Sequence, residues 1–255
     1  MKACLFPPCV SSLVREPSCK TVATGEVQLK LLGSFGLLVD AAPMRLPMNA
    51  QRLVCFLALH QGLLLRQHVA GSLWGDTTDR LASGSLRSAL WRLGHPSHDL
   101  VEVADSHLRL SAGVAVDLRE SEALAKRVLD ESKGLTEIEL DYALLSADLL
   151  PDWTEDWVLV EREYHTQLRL RALEALCRRL SEIGRFGQAV QAGMLAVSGD
   201  ALRESAQRTL VAAHLAEGNV AAAVEQYDSF RELLRDEVNL EPSPAMQILV
   251  QGLHP

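Results

Sequence analysis

The sequence has few of the features that mark a membrane, secreted or metal-binding protein. None of its apolar runs approaches the ~18 to 20 residues that a bilayer requires, and Pro7 and Pro8 interrupt the N-terminal apolar segment before a signal peptide could form. The five cysteines have neither the CxxC spacing of a zinc site nor the density of a disulfide framework. We therefore expect a cytoplasmic protein with reduced thiols, no membrane partner, no metal site and no cofactor.

The chain also lacks the common catalytic and nucleotide-binding motifs. Neither the GxxxxGK[ST] phosphate loop nor the GxSxG and HExxH motifs of hydrolases and metalloproteases occurs. The histidines are scattered, and His60 and His68 are most simply explained as surface or cap residues. We therefore expect that the protein is not an enzyme.

Basic residues are scarce, which bears on the class of partner. The 255 residues carry a net charge of -8, whereas phosphate binding depends mostly on Lys and Arg. The deficit is uneven, however, because residues 1–118 hold 11 basic and 9 acidic side chains while residues 119–255 hold 14 and 24. A chain of this length, 48% hydrophobic, can form two domains, so the asymmetry predicts two halves with different partners.

The first half is predicted to open with a small antiparallel sheet. Residues 1–26 contain three prolines and three cysteines without any period, so we expect a disordered tail. Short β-like runs follow, "VQLKLLG", "FGLLVD" and "MRLP", separated by glycines and by "AAP", which favour turns. Asn49 occupies an N-cap position and apolar residues then recur at helical spacing, which predicts helices over 49–61 and 66–74.

A third helix, "LASGSLRSALWRLG" at residues 81–94, completes a helix-turn-helix pattern. In such a motif the last helix enters the DNA major groove, while its predecessor lies across the backbone. The segment after Pro96, "LVEVADSHLRL", alternates strictly and is hinged at Asp105 and Ser106, which predicts a β-hairpin. A hairpin in this place is the wing of a winged helix.

The third helix is amphipathic, and one of its faces suits a DNA groove. At 100° per residue, Leu86, Ala89, Leu90 and Leu93 form the apolar side. The other side is small, basic and free of carboxylates, and consists of Gly84, Arg87, Ser88 and Trp91, flanked by Ser85 and Arg92. Arginine donates to phosphate or guanine, and serine and glycine permit close approach. An ordinary surface helix has the same composition. For Trp91 the alternatives are contact with a sugar edge of DNA and packing against the wing or a neighbouring domain, of which we expect packing.

The second half has a helical pattern with an internal repeat. "LCRRLSEIGRFGQAV" from Leu176 aligns with "LVAAHLAEGNVAAAV" from Leu210 at a spacing of 34 residues, the tetratricopeptide period. Each unit is a helical hairpin that buries its apolar face only by stacking on a neighbour. Trp153 and Trp157, four residues apart, are expected on one helical face as core residues, and Ser243 is predicted to cap a last short helix.

Taken in order, these segments resemble a known family. "LLGSFGLLV", "QRLVCFLALHQG", "HVAGSLWGD" and "SLRSALWRL", followed by "LLPDWTEDWVLVERE" and "AEGNVAAAVEQYDSFRELLRDEVNLEPSPAM", are similar to the bacterial transcriptional activator domain family, the SARP-type regulators of actinobacteria. The resemblance covers about residues 27–252. It implies a mainly α fold with a small β component: an OmpR-like winged helix-turn-helix (α+β) at 27–116 and an all-α, tetratricopeptide-like domain at 117–255.

The resemblance also implies a function and a set of site residues. The protein is expected to be a nucleoid-associated regulator, an activator that binds direct repeats in promoter DNA through its winged helix. Its helical domain is expected to support a homodimer and to contact RNA polymerase. The implied DNA-binding residues are Ser85, Arg87, Ser88, Trp91 and Arg92 of the third helix, Arg80 directly before it, and His107 and Arg109 of the wing.

Two features weaken the expected DNA contact. Gly94 and Pro96 end the third helix earlier than is usual in the family, and the first half has a charge balance of only +2. The alternative hypothesis is a protein-binding adaptor, in which a degenerate winged helix no longer binds DNA and the tetratricopeptide-like domain binds a protein partner.

Overall fold

The structure is a computed structural model that describes residues 26–93, 100–132, 134–135 and 142–253. The predicted tail at 1–26, apart from Glu26, and the predicted helix stop at Gly94 and Pro96 lie outside the described residues. We call residues 26–116 the winged half and residues 117–253 the helical half. In the winged half, the elements are β1 Val27–Lys30, β2 Gly36–Val39, β3 Ala42–Pro43, α1 Met48–Leu59, β4 Leu64–Leu65, α2 Arg66–Leu73, α3 Asp79–Leu93, β5 Val101–Ala104, β6 His107–Leu110 and β7 Val114–Val116.

The N-terminal strands form a four-stranded sheet in the order β3-β2-β1-β7. The strands β1 and β2 are antiparallel, as predicted, but β7 joins β1 in parallel. The third strand was predicted at "MRLP" and is instead Ala42–Pro43. Asp40 and Ala41 both have positive φ, 51° and 63°, so they form a two-residue hairpin turn and the return strand begins directly after it.

The three predicted helices are present, with shifted ends. The prediction that Asn49 caps α1 is wrong, because Pro47 is the N-cap and its carbonyl accepts the amides of Ala50 and Gln51. The third helix, α3, starts two residues earlier than predicted, at Asp79, whose carboxylate lies where the helix dipole favours negative charge.

The predicted wing is confirmed. Strands β5 and β6 pair antiparallel, with Ala104 opposite His107, and the turn between them contains Asp105 at φ 50° and Ser106. The short strand β4 pairs with the other side of β6 to make a three-stranded sheet. Leu108 and Leu110 point into the core, so His107 and Arg109 lie on the opposite face of the hairpin.

The helical half is a stack of antiparallel hairpins, as the repeat predicts. Gly184 and Gly218, the glycines that the repeat aligns, both have positive φ and end the first helix of each pair. The aligned alanines Ala189 and Ala223 are fully buried, where the helices approach closely. The elements are α4 Asp117–Leu129, a 3-10 turn at Ala143–Leu145, α5 Asp156–Glu182, α6 Phe186–Gly199, α7 Glu204–Glu217, α8 Val220–Val238 and α9 Pro244–Val250, which Ser243 caps as predicted.

The two halves share a core across the predicted division at residues 116 and 117. Leu149, Leu150 and Val158 of the helical half are fully buried among the core residues of the winged half. We call residues 148–158 the connecting segment. The Leu150 amide donates to Leu31 at 2.9 Å, and Gly33 donates to Asp148 at 2.8 Å. The connecting segment therefore completes the hydrophobic core beneath the N-terminal sheet.

Two tryptophans of the connecting segment pack as core residues, as predicted, although they do not share a helix. Trp153 lies in the turn before α5, which begins at Asp156, so the prediction of a common helical face is wrong. Their rings meet edge to face at 6.2 Å, and Trp157 also meets Phe56 of α1 at 5.3 Å. They thus hold α1 against the start of α5.

Among the described residues, no helix has the length and apolar character needed to cross a membrane.

Candidate nucleic-acid interface

The outer face of α3 is the main candidate surface. Its inner side is buried through Ala82, Leu86, Ala89 and Leu93, while Leu90 is only partly buried. The outer face, as we use the name, consists of the side chains on the opposite side: Arg80, Gly84, Ser85, Arg87, Ser88, Trp91 and Arg92. Of these, Gly84 and Ser85 are half-buried and the others are exposed. The wheel drawn from the sequence therefore has the observed orientation.

The arginines of the outer face are available to an anion. Within the described residues, Arg80, Arg87 and Arg92 form no ion pair, and α3 contains no carboxylate after Asp79. The Arg87 guanidinium lies over Gly84, since a Cβ built on that glycine would be 3.9 Å from Nη2. A helix directs its side chains toward its N-terminus, so Arg87 covers the turn that precedes it. The absence of a side chain at residue 84 leaves room for this arrangement.

Two apolar side chains on α3 are more exposed than the sequence suggested. Trp91 was expected to pack, yet 80% of it is exposed, so that expectation is wrong. The reason is its position opposite the buried side of the helix. Leu81, which sequence reasoning placed in no site, is also exposed, at 61%. Its position on the helical wheel, beside Ser85 and Ser88, was the feature of the sequence that could have predicted this exposure.

The wing presents Arg109 already paired with a carboxylate. Arg109 Nε donates to Glu102 Oε2 at 2.7 Å, and its Nη2 lies 2.5 Å from the same oxygen. The hydrogen bond from Arg109 lowers the pKa of Glu102, and the amide of Ala112 donates to the other carboxylate oxygen at 3.3 Å. Part of the cationic charge of the wing is therefore neutralised. Glu102 was missed from the sequence, although a hairpin with its turn at residues 105 and 106 places residues 102 and 109 opposite each other.

His107 lies near the tip of the wing. It is half-buried, and its Nδ1 is 3.3 Å from the hydroxyl of Ser106. The predicted site residues thus lie on the outer face of α3 and on the wing strands.

We find no metal-binding group of His, Cys, Asp or Glu in the part of the chain that the structure describes.

The helical half buries a separate polar cluster that the sequence did not suggest. His165 of α5 is 2% exposed, and its Nε2 is 3.2 Å from the hydroxyl of buried Ser121 on α4. Desolvation, with a smaller effect of the Arg169 charge, lowers the pKa of His165 to about 4. Arg169, also buried, pairs with Asp148 at the start of the connecting segment. The cluster depends on packing between distant parts of the chain, so no local pattern could have revealed it.

Comparison with known proteins places this architecture in a family. The model of the bacterial transcriptional activator domain matches residues 116–254, more than half of the chain. The chain therefore belongs to the bacterial transcriptional activator domain family, as the sequence resemblance indicated. The family takes its name from a domain of bacterial transcriptional activators.

A solved structure supports the fold over nearly the whole chain. The chain is similar to Mycobacterium tuberculosis EmbR, solved in complex with a low affinity phosphopeptide, with a TM-score of 0.64 and 17% sequence identity. The similarity covers 90% of this chain and 65% of that one, so this chain spans about two thirds of that structure. At this identity the likeness concerns the fold, and it confirms the predicted fold class. No curated protein sequence matches this chain.

Proposed function

We propose that the protein activates transcription by binding promoter DNA through the outer face of α3. The observation that carries this proposal is the set of exposed arginines on that face, which have no carboxylate partner among the described residues. A DNA duplex presents closely spaced phosphates, and free guanidinium groups are the protein groups that bind them best. Membership of a transcriptional activator family points to the same ligand.

The residues of the outer face have distinct roles in this proposal. Arg87 and Arg92 donate to guanine edges or phosphates, and Arg80, at the start of α3, contacts the phosphate backbone. Ser85 and Ser88 contact base edges directly, because their small side chains allow close approach. The Ser88 hydroxyl donates to the Gly84 carbonyl at 3.1 Å, which leaves its oxygen free to accept from a base. The exposed ring of Trp91 packs against sugars near the C-terminal end of α3.

The wing makes the smaller contribution. His107 and Arg109 contact the adjacent minor groove or its phosphates, but Arg109 must first exchange Glu102 for a phosphate. The pair is exposed, and such pairs are weak in water. Arg109 can therefore leave Glu102 for a phosphate in the electrostatic field of the DNA duplex.

The helical half supplies the protein contacts. Exposed apolar side chains on α5, namely Leu159, Val160 and Tyr164, support a role in pairing two copies of the chain. Two copies in tandem would occupy a direct repeat with half-sites about 10 to 10.5 base pairs apart or a multiple of that spacing. The acidic surface of this half is assigned to RNA polymerase, since it is unsuited to DNA.

Fluorescence anisotropy on promoter fragments, at low and at physiological salt, tests the proposal. We expect binding that is tighter than to random DNA and that weakens steeply with salt. Sedimentation of the parent and of Val160→Glu tests the dimer, which the buried charge should dissociate. Equal affinity for promoter and random DNA would contradict the regulator function.

The second candidate function is a protein-binding adaptor. The Glu102–Arg109 pair favours it, because a carboxylate on the wing repels phosphate. The same titration separates the two functions, since an adaptor shows no preference for promoter DNA.

A further inference from the structure

Arg52 of α1 connects three parts of the protein that are distant in sequence. Its Nη2 donates to the carbonyl of Leu73 at 2.7 Å, and its guanidinium lies 5.9 Å from the centre of the Trp74 ring. Its Nε lies 3.1 Å from Oε1 of Glu155 in the connecting segment. The side chains of Arg52 and Glu155 are only 22% and 28% exposed, so this contact is shielded from solvent better than a surface ion pair.

The first two contacts hold the end of α2 and the turn that leads to α3. Leu73 is the last residue of α2 and Trp74 its C-cap. The Trp74 carbonyl in turn accepts both the amide of Thr77, at 3.2 Å, and its hydroxyl, at 2.9 Å. Hydrogen bonds thus hold both the end of α2, through Arg52, and the turn that follows it, through Trp74 and Thr77.

The third contact brings in the helical half. Glu155 is the N-cap of α5, yet its side chain makes no capping hydrogen bond and points to Arg52 instead. One turn further along α1, Phe56 packs against Trp157, so the ion pair lies beside an apolar contact between the same two elements. The start of α5 is therefore fixed to the residue that holds the turn before α3.

We infer that the Arg52–Glu155 pair positions the α2–α3 turn, and with it the outer face of α3, for DNA binding. The inference rests on the proposed function, because it assigns a positioning role in DNA binding. Neither residue contacts the duplex in this scheme. Arg52 acts by holding Leu73 and Trp74, and Glu155 acts by holding Arg52.

For Glu155→Gln, an account based on charge alone and an account based on positioning predict opposite changes in DNA binding. Glu155→Gln removes a negative charge and leaves Arg52 without its partner, and both effects would strengthen binding to a polyanion. If the pair positions the turn, the same substitution weakens specific binding by roughly three- to tenfold. Single residues in a network that couples two sites typically change binding by this amount. The sign of the change therefore separates the two explanations.

The experiment uses the full chain and a matched control. Asp152→Asn makes the same change of charge three residues earlier, at an exposed side chain. Anisotropy titrations on one promoter fragment are to be combined with hydrogen–deuterium exchange of the free proteins. We expect weaker specific binding and faster exchange of the amides at residues 74–78 in Glu155→Gln, and neither change in Asp152→Asn. Arg52→Lys should match Glu155→Gln, because one ammonium cannot replace the fork that holds both Glu155 and Leu73.

Two results with Glu155→Gln would each overturn the inference. Binding by Glu155→Gln that equals or exceeds that of the parent would overturn it, and so would unchanged exchange in the turn. A parent that does not prefer promoter DNA overturns the proposed function instead. In that case the exchange measurement still decides whether Glu155 orders the turn, so the two failures are distinguishable.

Discussion

The arginines of the two halves have different surroundings. Those on the outer face of α3 have no carboxylate partner among the described residues. Several arginines of the helical half are instead paired with carboxylates: Arg178 with Glu131 at 2.9 Å, Arg203 with Glu174 at 2.5 Å, and Arg231 with Glu241 at 2.9 Å. The net charge of -8 conceals this difference. What matters for a polyanionic ligand is the number of unpaired cations on one face, and the outer face of α3 carries Arg80, Arg87 and Arg92 together.

The largest expected effect tests whether the two faces of α3 differ as described. Leu86→Ala should lower the free energy of unfolding by about 2 to 5 kcal/mol, because Leu86 is 2% exposed in the core. Leu81→Ala, on the exposed side of the same helix, is the control and should change it by less than about 0.5 kcal/mol. Urea denaturation of both variants measures the difference. Equal losses would mean that α3 is rotated from the orientation described.

The next effect concerns the buried histidine of the helical half. The pKa of His165 in the folded protein is about 4, below its ordinary value of 6.5, so the unfolded chain takes up the proton first. Stability present above pH 6.5 is therefore lost as the pH falls toward 4, by on the order of 3 kcal/mol for this shift. Denaturation between pH 7 and pH 4 measures the loss. His165→Gln should flatten the profile, and an equally steep profile in that variant would assign the loss to other groups.

The third prediction contrasts an unpaired with a paired arginine. Arg87→Ala or Arg92→Ala should weaken specific DNA binding by roughly 1 to 3 kcal/mol if the side chain is bidentate to guanine, with no change in melting temperature. Arg178→Ala removes the same charge from the helical half, where Glu131 already neutralises it, and should leave DNA affinity unchanged. Anisotropy measures all three. If Arg178→Ala were as damaging, net charge rather than the outer face would govern binding.

The smallest expected effect lies in the wing. Glu102→Gln removes the partner of Arg109 and one negative charge, so DNA binding should become tighter, by roughly twofold. The effect should fade at high salt, because both side chains are exposed. A titration in two salt concentrations checks it. Weaker binding would show that Glu102 orients Arg109 for DNA rather than competing with it.

Local patterns were sufficient to predict most of the elements and the orientation of α3. Periodicity predicted three helices, a hairpin turn and the 34-residue repeat, because each depends on residues close in sequence. The same logic failed where a single turn conformation decided the outcome, as at Asp40 and Ala41, which moved the third strand. It also failed at Trp91, since packing was expected from residue type and exposure follows from position.

The contacts between the halves could not be predicted. Arg52 and Glu155 are separated by 103 residues, and Ser121 and His165 by 44. No periodic pattern specifies such pairs. The DNA-binding residues therefore remain predictions supported by the exposure of α3. Their positioning depends on side chains that only the folded arrangement brings together.

The connecting segment has a consequence for how the protein is synthesised. The sheet and helices of the winged half are complete in sequence by residue 116, but Leu149, Leu150 and Val158 fill part of their core. A nascent chain therefore cannot close that core until Val158 has left the ribosome, although domains generally fold N-terminal first. The winged half therefore gains its full core only once the start of α5 has been made, and a chain truncated before that point is expected to be less stable in this half.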